Sequence, residues 1–190
     1  MHWPRPNEEL FKSAEDWHLN ACVGYSRDSL SSYADNYRAG ADALIRSATD
    51  GNAVLDAVIY PIVFLYRHYI ELCLKDIVFL GRRLQDDSRP FPKVHNLSAL
   101  WVEAKQLLVT HYGNDVPPGL QNLNGIIDEF TQHDPNSQAF RYPWDRKGNP
   151  HLQEIQHINI RNLQETMDRV ASFLGCMAGD LSAILDARSA

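Results

Sequence analysis

A strip of charged and titratable side chains recurs on one helical face in the apolar stretch after Pro61. The strip consists of Arg67, His68, Glu71 and Lys75, and Arg67, Glu71 and Lys75 follow one another at intervals of four residues. This spacing places the side chains within one arc of an α-helix, so that each carboxylate–cation pair can meet. Either water covers the strip and each pair adds about 0.2–0.5 kcal/mol, or the strip faces a cleft or another segment and Glu71 anchors that segment between two cations.

An irregular stretch, residues 133–151, contains three prolines and a glycine together with a dense group of aromatic residues around one arginine. A guanidinium pairs with a carboxylate through two hydrogen bonds and also stacks on aromatic rings, which lysine does less well. We therefore expect Arg141 to reach Glu71, or failing that Asp134. The aromatic neighbours would shield this ion pair from water: Phe140, Tyr142 and Trp144.

The eight histidines and three cysteines do not follow a metal-ligand pattern. No Cys-x-x-Cys or His-x-x-x-His pair occurs, and the sequence contains no glycine-rich phosphate loop and no nucleophile elbow. We therefore expect neither a metal nor a cofactor. The odd number of cysteines, set far apart in apolar stretches, favours a reduced, intracellular protein.

Helical periodicity dominates the segments that must position these side chains, and no run alternates with period two for long enough to form a sheet. Pro61 lies inside the longest segment, so we expect a kink or a restart of the helix there. The pattern predicts an all-α fold, an up-and-down bundle of about five helices with a long kinked central helix and a long C-terminal helix. Apolar residues recur at helical spacing in residues 10–21, 30–48, 52–84, 97–108, 120–130 and 159–187.

The last of these segments carries the most regular apolar seam in the chain. Such a seam faces a partner helix along its whole length. A symmetric homodimer and the core of the chain's own bundle explain it equally well. Its members are Leu163, Met167, Val170, Leu174, Met177, Leu181 and Leu185.

The bulk composition predicts one soluble domain over residues 1–190. The chain is 44% hydrophobic and 22% charged, and its net charge of −6 argues against a surface coated with basic residues. The longest apolar run, residues 58–66, is nine residues long, less than half of the roughly 20 needed to span a bilayer. The first residues lack both the basic start and the apolar run of a signal peptide. We expect a cytoplasmic protein without a membrane segment.

Three stretches, in this order, resemble the HEPN superfamily of small prokaryotic helical bundles. They are FLYRHYIELCLKDIVFL on the long central helix, KVHNLSALW at the start of the next helix, and DPNSQAFRYP in the loop before the last helix. Together they cover roughly residues 53–185. The resemblance implies a helical bundle that is often dimeric and is connected with RNA cleavage, nucleotide binding, toxin–antitoxin pairs or phage defence.

Active ribonucleases of this superfamily carry an arginine followed, four to six residues later, by a histidine at a helix start. The stretches from Arg89 to His95 and from Arg146 to His151 have this spacing. Both contain prolines and belong to predicted loops, so they depart from the pattern that the resemblance implies. His95 is then explained as a capping or packing residue of the helix that follows it.

Three functions remain open. The first is a HEPN-like module, non-catalytic or degenerate, that binds a nucleic acid, a nucleotide or a partner protein. The second is an active, metal-independent endoribonuclease, in which a histidine moves protons and an arginine stabilises the charge on phosphorus. The third is a helical scaffold or dimerisation protein. The candidate catalytic residues are His68, His151 and Arg146, and the candidate binding residues are Arg67, His68, Glu71, Lys75, His95 and Arg141.

Overall fold

The computed structural model describes residues 3, 6–24 and 29–189, and within them it contains five α-helices and no strand. A single isolated β-bridge joins Trp144 to Pro150 in the loop between the last two helices. The all-α prediction is confirmed. The helices are α1 (Leu30–Thr49), α2 (Leu55–Leu84), α3 (Leu97–Tyr112), α4 (Gly119–His133) and α5 (Ile160–Ser189).

Helix α2 is the centre of the bundle and packs against α1, α3 and α5. Its side chains are buried around most of its circumference, as the nearly continuous apolar sequence predicts. The helix runs through Pro61 without interruption, so it does not restart there, and the kink expected as the alternative stays a prediction. Its fully buried apolar residues include Ile62, Tyr66, Ile70, Leu74 and Ile77.

A side chain caps the start of α3. The side chain of Asn96 accepts a hydrogen bond from the Ala99 amide at 2.8 Å, which satisfies one of the free N–H groups of the first turn. Ser29 plays the same part for α1, accepting from the Ser32 amide at 3.2 Å. The predicted apolar face of α3 is buried throughout: Leu97, Leu100, Trp101, Ala104, Leu107 and Leu108.

Helix α5 uses its apolar seam to pack against α2. Five members of the seam are buried and the two at its ends, Leu163 and Leu185, are partly buried. The core of the chain's own bundle therefore accounts for the seam. A homodimer stays a prediction, and it would need another surface.

The predicted first helix over residues 10–21 is wrong. Residues 6–24 contain only a 3-10 turn, Trp17–Leu19, and Phe11 is 96% exposed. Asn7, a residue of a type common at N-caps that precedes this segment, has φ of 62° rather than the extended backbone of a capping residue. A short helix gains most of its stability from packing an apolar face, and no element of the bundle covers this one.

By length and composition alone, α2 and α5 are each apolar enough to cross a membrane. Half of the apolar window of α2 and 28% of that of α5 are buried inside the bundle. The core helix of a soluble bundle has the same properties, so the predicted cytoplasmic location stays a prediction.

Candidate functional site

The charged strip on α2 is buried rather than solvated. Arg67 is 1% exposed, Glu71 2% and Lys75 6%. Two irregular segments cover it, the connection that leads into α3 and the loop that follows α4. The strip therefore faces other segments of the chain, and the interpretation in which water covers it is wrong.

Arg67 joins three parts of the chain through one guanidinium. Its Nη1 lies 3.3 Å from Glu71 Oε2 on the same helix, and its Nη2 donates to the carbonyl of His95 at 3.2 Å. Its Nε donates to the carbonyl of Asp134 at 3.3 Å and lies equally far from Asp134 Oδ2. Burial lowers the pKa of Arg67, and the two neighbouring carboxylates oppose that shift. The arginine thus fixes both covering segments to α2.

Glu71 is the acceptor at the centre of the strip. Its Oε1 receives Lys75 Nζ at 2.9 Å and lies 2.7 Å from His95 Nδ1. Burial alone would raise the pKa of this carboxyl, but the hydrogen bonds from Lys75 and His95 outweigh burial and hold its pKa below the usual value. A buried carboxylate with this many donors is a structural anchor.

Asp134 organises the beginning of the loop after α4. Its Oδ1 accepts hydrogen bonds from the backbone amides of Gln138 and Ala139, the second at 2.9 Å. Its other oxygen faces Arg67. The 1% exposed side chain therefore both folds the loop and attaches it to α2.

The predicted ion pair between Arg141 and Glu71 or Asp134 is wrong. Arg141 is exposed, its Nε donates to the carbonyl of Ser137, and its guanidinium carbon lies 5.4 Å from the centre of the Phe64 ring. Arg67 occupies the carboxylates instead, because it already projects from the strip at the spacing that meets Glu71.

Of the three aromatic residues predicted to shield an ion pair from water, only one is buried. Phe140 is buried, whereas Tyr142 and Trp144 are 54% and 62% exposed. The ring of Tyr142 does contact Arg141, 5.6 Å from its guanidinium carbon, on the outer side of the loop.

His68 packs with aromatic rings rather than with the charged members of the strip. Its ring meets the edge of Tyr37 on α1 at 4.4 Å between centroids and is parallel to that of Phe64 at 6.2 Å. Burial lowers the pKa of His68, which favours the neutral imidazole. The structure thus places this candidate residue at the α1–α2 interface.

His95 is the member of this cluster that a ligand could reach. Its side chain is 72% exposed, while its Nδ1 rests on the buried Glu71. The arginine paired with it by sequence spacing, Arg89, binds Asp87 Oδ2 at 2.6 Å and Glu103 Oε1 at 2.9 Å. Arg89 is thus held by two carboxylates near the end of the connection.

Arg146 and His151, the other pair with suitable spacing, do line the same cavity. This cavity has a volume of about 630 Å³ and lies between the end of α4 and the following loop. The His151 Nε2 atom is buried and has no hydrogen-bond partner among the described residues. The remaining polar residues of the lining are Gln132, His133, Asp134, Asn136, Gln138, Asp145 and Lys147.

The carboxylate of Asp145 stabilises its own turn at this cavity. Its Oδ1 accepts from the amides of Lys147 and Asn149, each at 2.8 Å, and its Oδ2 accepts from Asn149 Nδ2 at 2.9 Å. These bonds hold the pKa of Asp145 below its usual value. The turn therefore presents Arg146 and Lys147 at the surface, where both are exposed.

The sequence interpretation missed several residues that shape these sites. Lys147 and His133 also line the cavity, and only the adjacency of Lys147 to Arg146 in the sequence could have indicated Lys147. Arg82 also went unnoticed, although it is 8% exposed and binds both oxygens of Glu103. Arg82 and Arg83 are adjacent, and sequence alone does not show which of the two is buried.

No family model, curated protein or solved structure matches this chain. The resemblance to the HEPN superfamily therefore stays a prediction.

Proposed function

We propose that this chain is a cytoplasmic, HEPN-like helical module that binds RNA or a nucleotide through phosphate contacts in the cavity beside Arg146. The observation that carries the proposal is that Arg146, Lys147 and His151 line one cavity of about 630 Å³. Cationic side chains around a cavity are the basic requirement for binding a phosphate group.

The local charge of this cavity supports an anionic ligand despite the net charge of −6. Its two carboxylates are engaged within the protein: Asp134 faces Arg67, and Asp145 holds its own turn. Arg146 and Lys147 form no ion pair with another described residue, so both charges remain available. Asn136 and Gln138 add neutral hydrogen-bonding groups to the lining.

The buried strip supports a binding module rather than a catalytic one at that position. Arg67, Glu71 and Lys75 are nearly inaccessible and satisfy one another. Their arrangement holds the loop that carries the cavity, through the contact of Arg67 with Asp134. These candidate binding residues therefore act on the ligand indirectly, by positioning the loop.

The test is the affinity of the protein for a labelled single-stranded RNA, measured by fluorescence anisotropy at several salt concentrations. We expect the Arg146→Ala/Lys147→Ala variant to bind at least about tenfold more weakly. The slope of log affinity against log salt should fall by about 1.4, since each phosphate contact on a single strand contributes about 0.7. A nucleoside triphosphate in the same assay distinguishes a nucleotide from RNA as the ligand.

The matched control removes the same two charges elsewhere, with Lys93→Ala/Arg161→Ala at exposed positions. This variant should keep the wild-type affinity and salt slope. Equal weakening by both double variants, or salt-independent binding of the wild type, would contradict the proposed site.

A second candidate function, metal-independent RNA cleavage, is favoured by one observation at the same cavity. The Nε2 atom of His151 has no hydrogen-bond partner among the described residues, and Arg146 lines the same space. The imidazole would take the proton of a 2′-hydroxyl or give one to the leaving oxygen, and the guanidinium would stabilise the charge on phosphorus.

Incubation of RNA with the protein and a chelator tests this second candidate. Cleavage that is abolished in His151→Ala and kept in His157→Ala, an exposed histidine nearby in the chain, would support it. Intact RNA at high protein concentration would contradict cleavage, and binding would then be the one proposed function that remains. Either activity fits the toxin–antitoxin or phage-defence context that the resemblance implies.

A further inference from the structure

Exposed aromatic side chains gather around a second cavity, beside the one proposed to bind phosphate. We call it the tyrosine groove; it has a volume of about 820 Å³ and lies between the first turns of α2 and the loop after α4. Tyr60 on α2 and Tyr142 on the loop line it and are 50% and 54% exposed, and Leu55 in the same lining is 39% exposed. Exposed apolar side chains are normal when they are scattered, whereas a concentrated set marks an interaction surface.

A closed turn of the loop places one wall of the tyrosine groove beside the phosphate cavity. The amide of His151 donates to the carbonyl of Pro143 at 2.9 Å, which closes the turn that contains Arg146 and Lys147. Tyr142 lies at the base of this turn, and the backbone from Tyr142 to Arg146 spans at most about 14 Å, at about 3.5 Å per residue. A turn that is fixed before binding loses less conformational entropy on docking than a flexible chain does.

The tyrosine groove and the phosphate cavity share two residues of their linings. Ala139 and His151 line both spaces. The Nε2 atom of His151 is buried and has no hydrogen-bond partner among the described residues. A buried polar atom that lacks a partner costs free energy, which a bound ligand recovers when it supplies that partner. A ligand that extends from the groove into the cavity passes this imidazole, so the two spaces form one continuous site.

The charge of the tyrosine groove suits the backbone of a nucleic acid. Arg141 lines it, and its guanidinium carbon lies 5.6 Å from the centre of the Tyr142 ring. Because Arg141 contacts only rings and one carbonyl among the described residues, its charge remains available. His157 adds a second basic group, and the described lining contains one carboxylate, Asp56. Aromatic faces beside cations are typical of surfaces that bind single-stranded nucleic acids, where the rings stack on bases and the cations contact phosphates.

We propose that the tyrosine groove stacks the bases of single-stranded RNA while the neighbouring cavity holds its phosphates, with Tyr60 and Tyr142 as the stacking residues. The inference rests on the proposed function and specifies its ligand as a strand of several nucleotides, rather than a mononucleotide or a duplex. A mononucleotide offers one base, whereas the groove presents two tyrosine rings from separate elements of the fold. A duplex keeps its bases stacked on one another, so their faces are not available to side chains.

The first experiment compares the affinity of the full chain for a labelled single-stranded RNA with its affinity for the same RNA annealed to its complement. A length of about ten nucleotides is within the range of such sites. We expect the single strand to bind at least about tenfold more tightly than the duplex. Tyr60→Ala/Tyr142→Ala should weaken binding of the single strand at least about 25-fold, because each base stack contributes at least about fivefold.

Two matched variants separate stacking from a general loss of structure. Tyr60→Phe/Tyr142→Phe keeps both rings and should bind the single strand as the wild type does, because stacking needs the face of the ring and not the hydroxyl group. Tyr33→Ala/Phe91→Ala removes two partly exposed aromatic side chains outside the tyrosine groove and should also keep the wild-type affinity. Circular dichroism should show the same helix content in all of these variants.

The second experiment uses inorganic polyphosphate, which carries phosphate charges but no bases. Tyr60→Ala/Tyr142→Ala should bind polyphosphate with the wild-type affinity, which would also show that the phosphate cavity is intact in this variant. Arg146→Ala/Lys147→Ala should bind both polyphosphate and RNA more weakly.

These measurements distinguish failure of the inference from failure of the proposed function. Equal affinity of the wild type for single strand and duplex would overturn the inference, as would RNA binding that is unchanged in Tyr60→Ala/Tyr142→Ala. The proposed function would stand in either case if the affinity for polyphosphate and RNA still depended on Arg146 and Lys147. Binding of RNA and polyphosphate that is unchanged in Arg146→Ala/Lys147→Ala would contradict the proposed function and the inference with it.

Discussion

Arg67 and Asp134 are each 1% exposed and lie 3.3 Å apart, although 67 residues separate them in the sequence. This contact fastens the loop after α4 to the central helix of the bundle. The loop in turn carries Arg146 and His151, which line the candidate phosphate-binding cavity. Stability and function should therefore depend on the same buried ion pair.

We expect Asp134→Asn to destabilise the protein by about 3 kcal/mol. Breaking a buried ion pair costs about 3–5 kcal/mol, and Glu71 remains to compensate Arg67 in part. The free energy of unfolding, from urea titration followed by circular dichroism, measures this loss. Arg141→Ala, whose guanidinium is exposed and contacts only rings and one carbonyl, should cost at most about 1 kcal/mol. Similar losses in both variants would show that Arg67 is not the anchor.

A second prediction concerns Arg82, which binds both oxygens of Glu103 at 2.9 and 2.8 Å and the carbonyl of Pro90 at 2.6 Å. Lysine keeps the charge but cannot reproduce the paired geometry of a guanidinium. We expect Arg82→Lys to lower the free energy of unfolding by about 1–3 kcal/mol.

The neighbouring residue provides the control for this substitution. Arg83 is exposed and lies over the Phe79 ring at 5.7 Å, so Arg83→Lys should change stability by no more than about 0.5 kcal/mol. Urea titration followed by circular dichroism measures the free energy of unfolding of both variants. A neutral effect of Arg82→Lys would mean that the connection before α3 is held by other contacts.

The helices could be predicted from the sequence because their apolar residues share faces that the bundle covers. In α3, Leu100, Ala104 and Leu108 recur at helical spacing and all are buried. Residues 6–24 have the same spacing at Leu10 and Ala14, yet they form no α-helix there. Spacing shows which residues would share a face, but not whether another element is available to cover it.

The candidate site was predictable only in part, for a related reason. Helical geometry places Arg67 and Glu71 together, and this pairing is present. The sequence does not contain the path of the loop, so it could not show that Arg67 rather than Arg141 would meet Asp134. It also gave Arg146 and His151 a common spacing without showing that they would line one cavity.

The third prediction is a loss of stability with falling pH that depends on His68. Burial lowers the pKa of His68 in the folded protein, so the unfolded chain binds the proton more readily. The stabilisation is therefore complete above the ordinary histidine pKa of about 6.5 and decreases as pH falls through the lowered value of the folded state. His68→Phe should flatten the pH dependence of the melting temperature in this range, since it removes the titrating group and keeps the aromatic contacts with Tyr37 and Phe64.

Protonation of Glu71 should cause a separate loss of folding stability at lower pH. The pKa of Glu71 is below its usual value in the folded state. Its contribution is thus full above about 4.3, the ordinary glutamate pKa, and is lost as pH falls through the lower folded value. His68→Phe should retain this acid decline. Histidine titrates between about pH 7 and 5. If the melting temperature of His68→Phe varied with pH in this range as that of the wild type does, the role of His68 would be contradicted.

The last prediction uses two glycines in helices with opposite surroundings. A Cβ atom at Gly81 would lie 3.0 Å from Leu107 Cβ, where α2 approaches α3 closely, whereas at Gly125 on α4 it would meet no atom within 4 Å. Gly125→Ala should raise the free energy of unfolding by about 0.5–1 kcal/mol, because alanine loses less backbone entropy in a helix. Gly81→Ala gains the same propensity but overpacks the interface, which costs about 1–3 kcal/mol, so it should be net destabilising. Urea titration of the two variants measures the difference in sign, and stabilisation by both would show that α2 and α3 can move apart without cost.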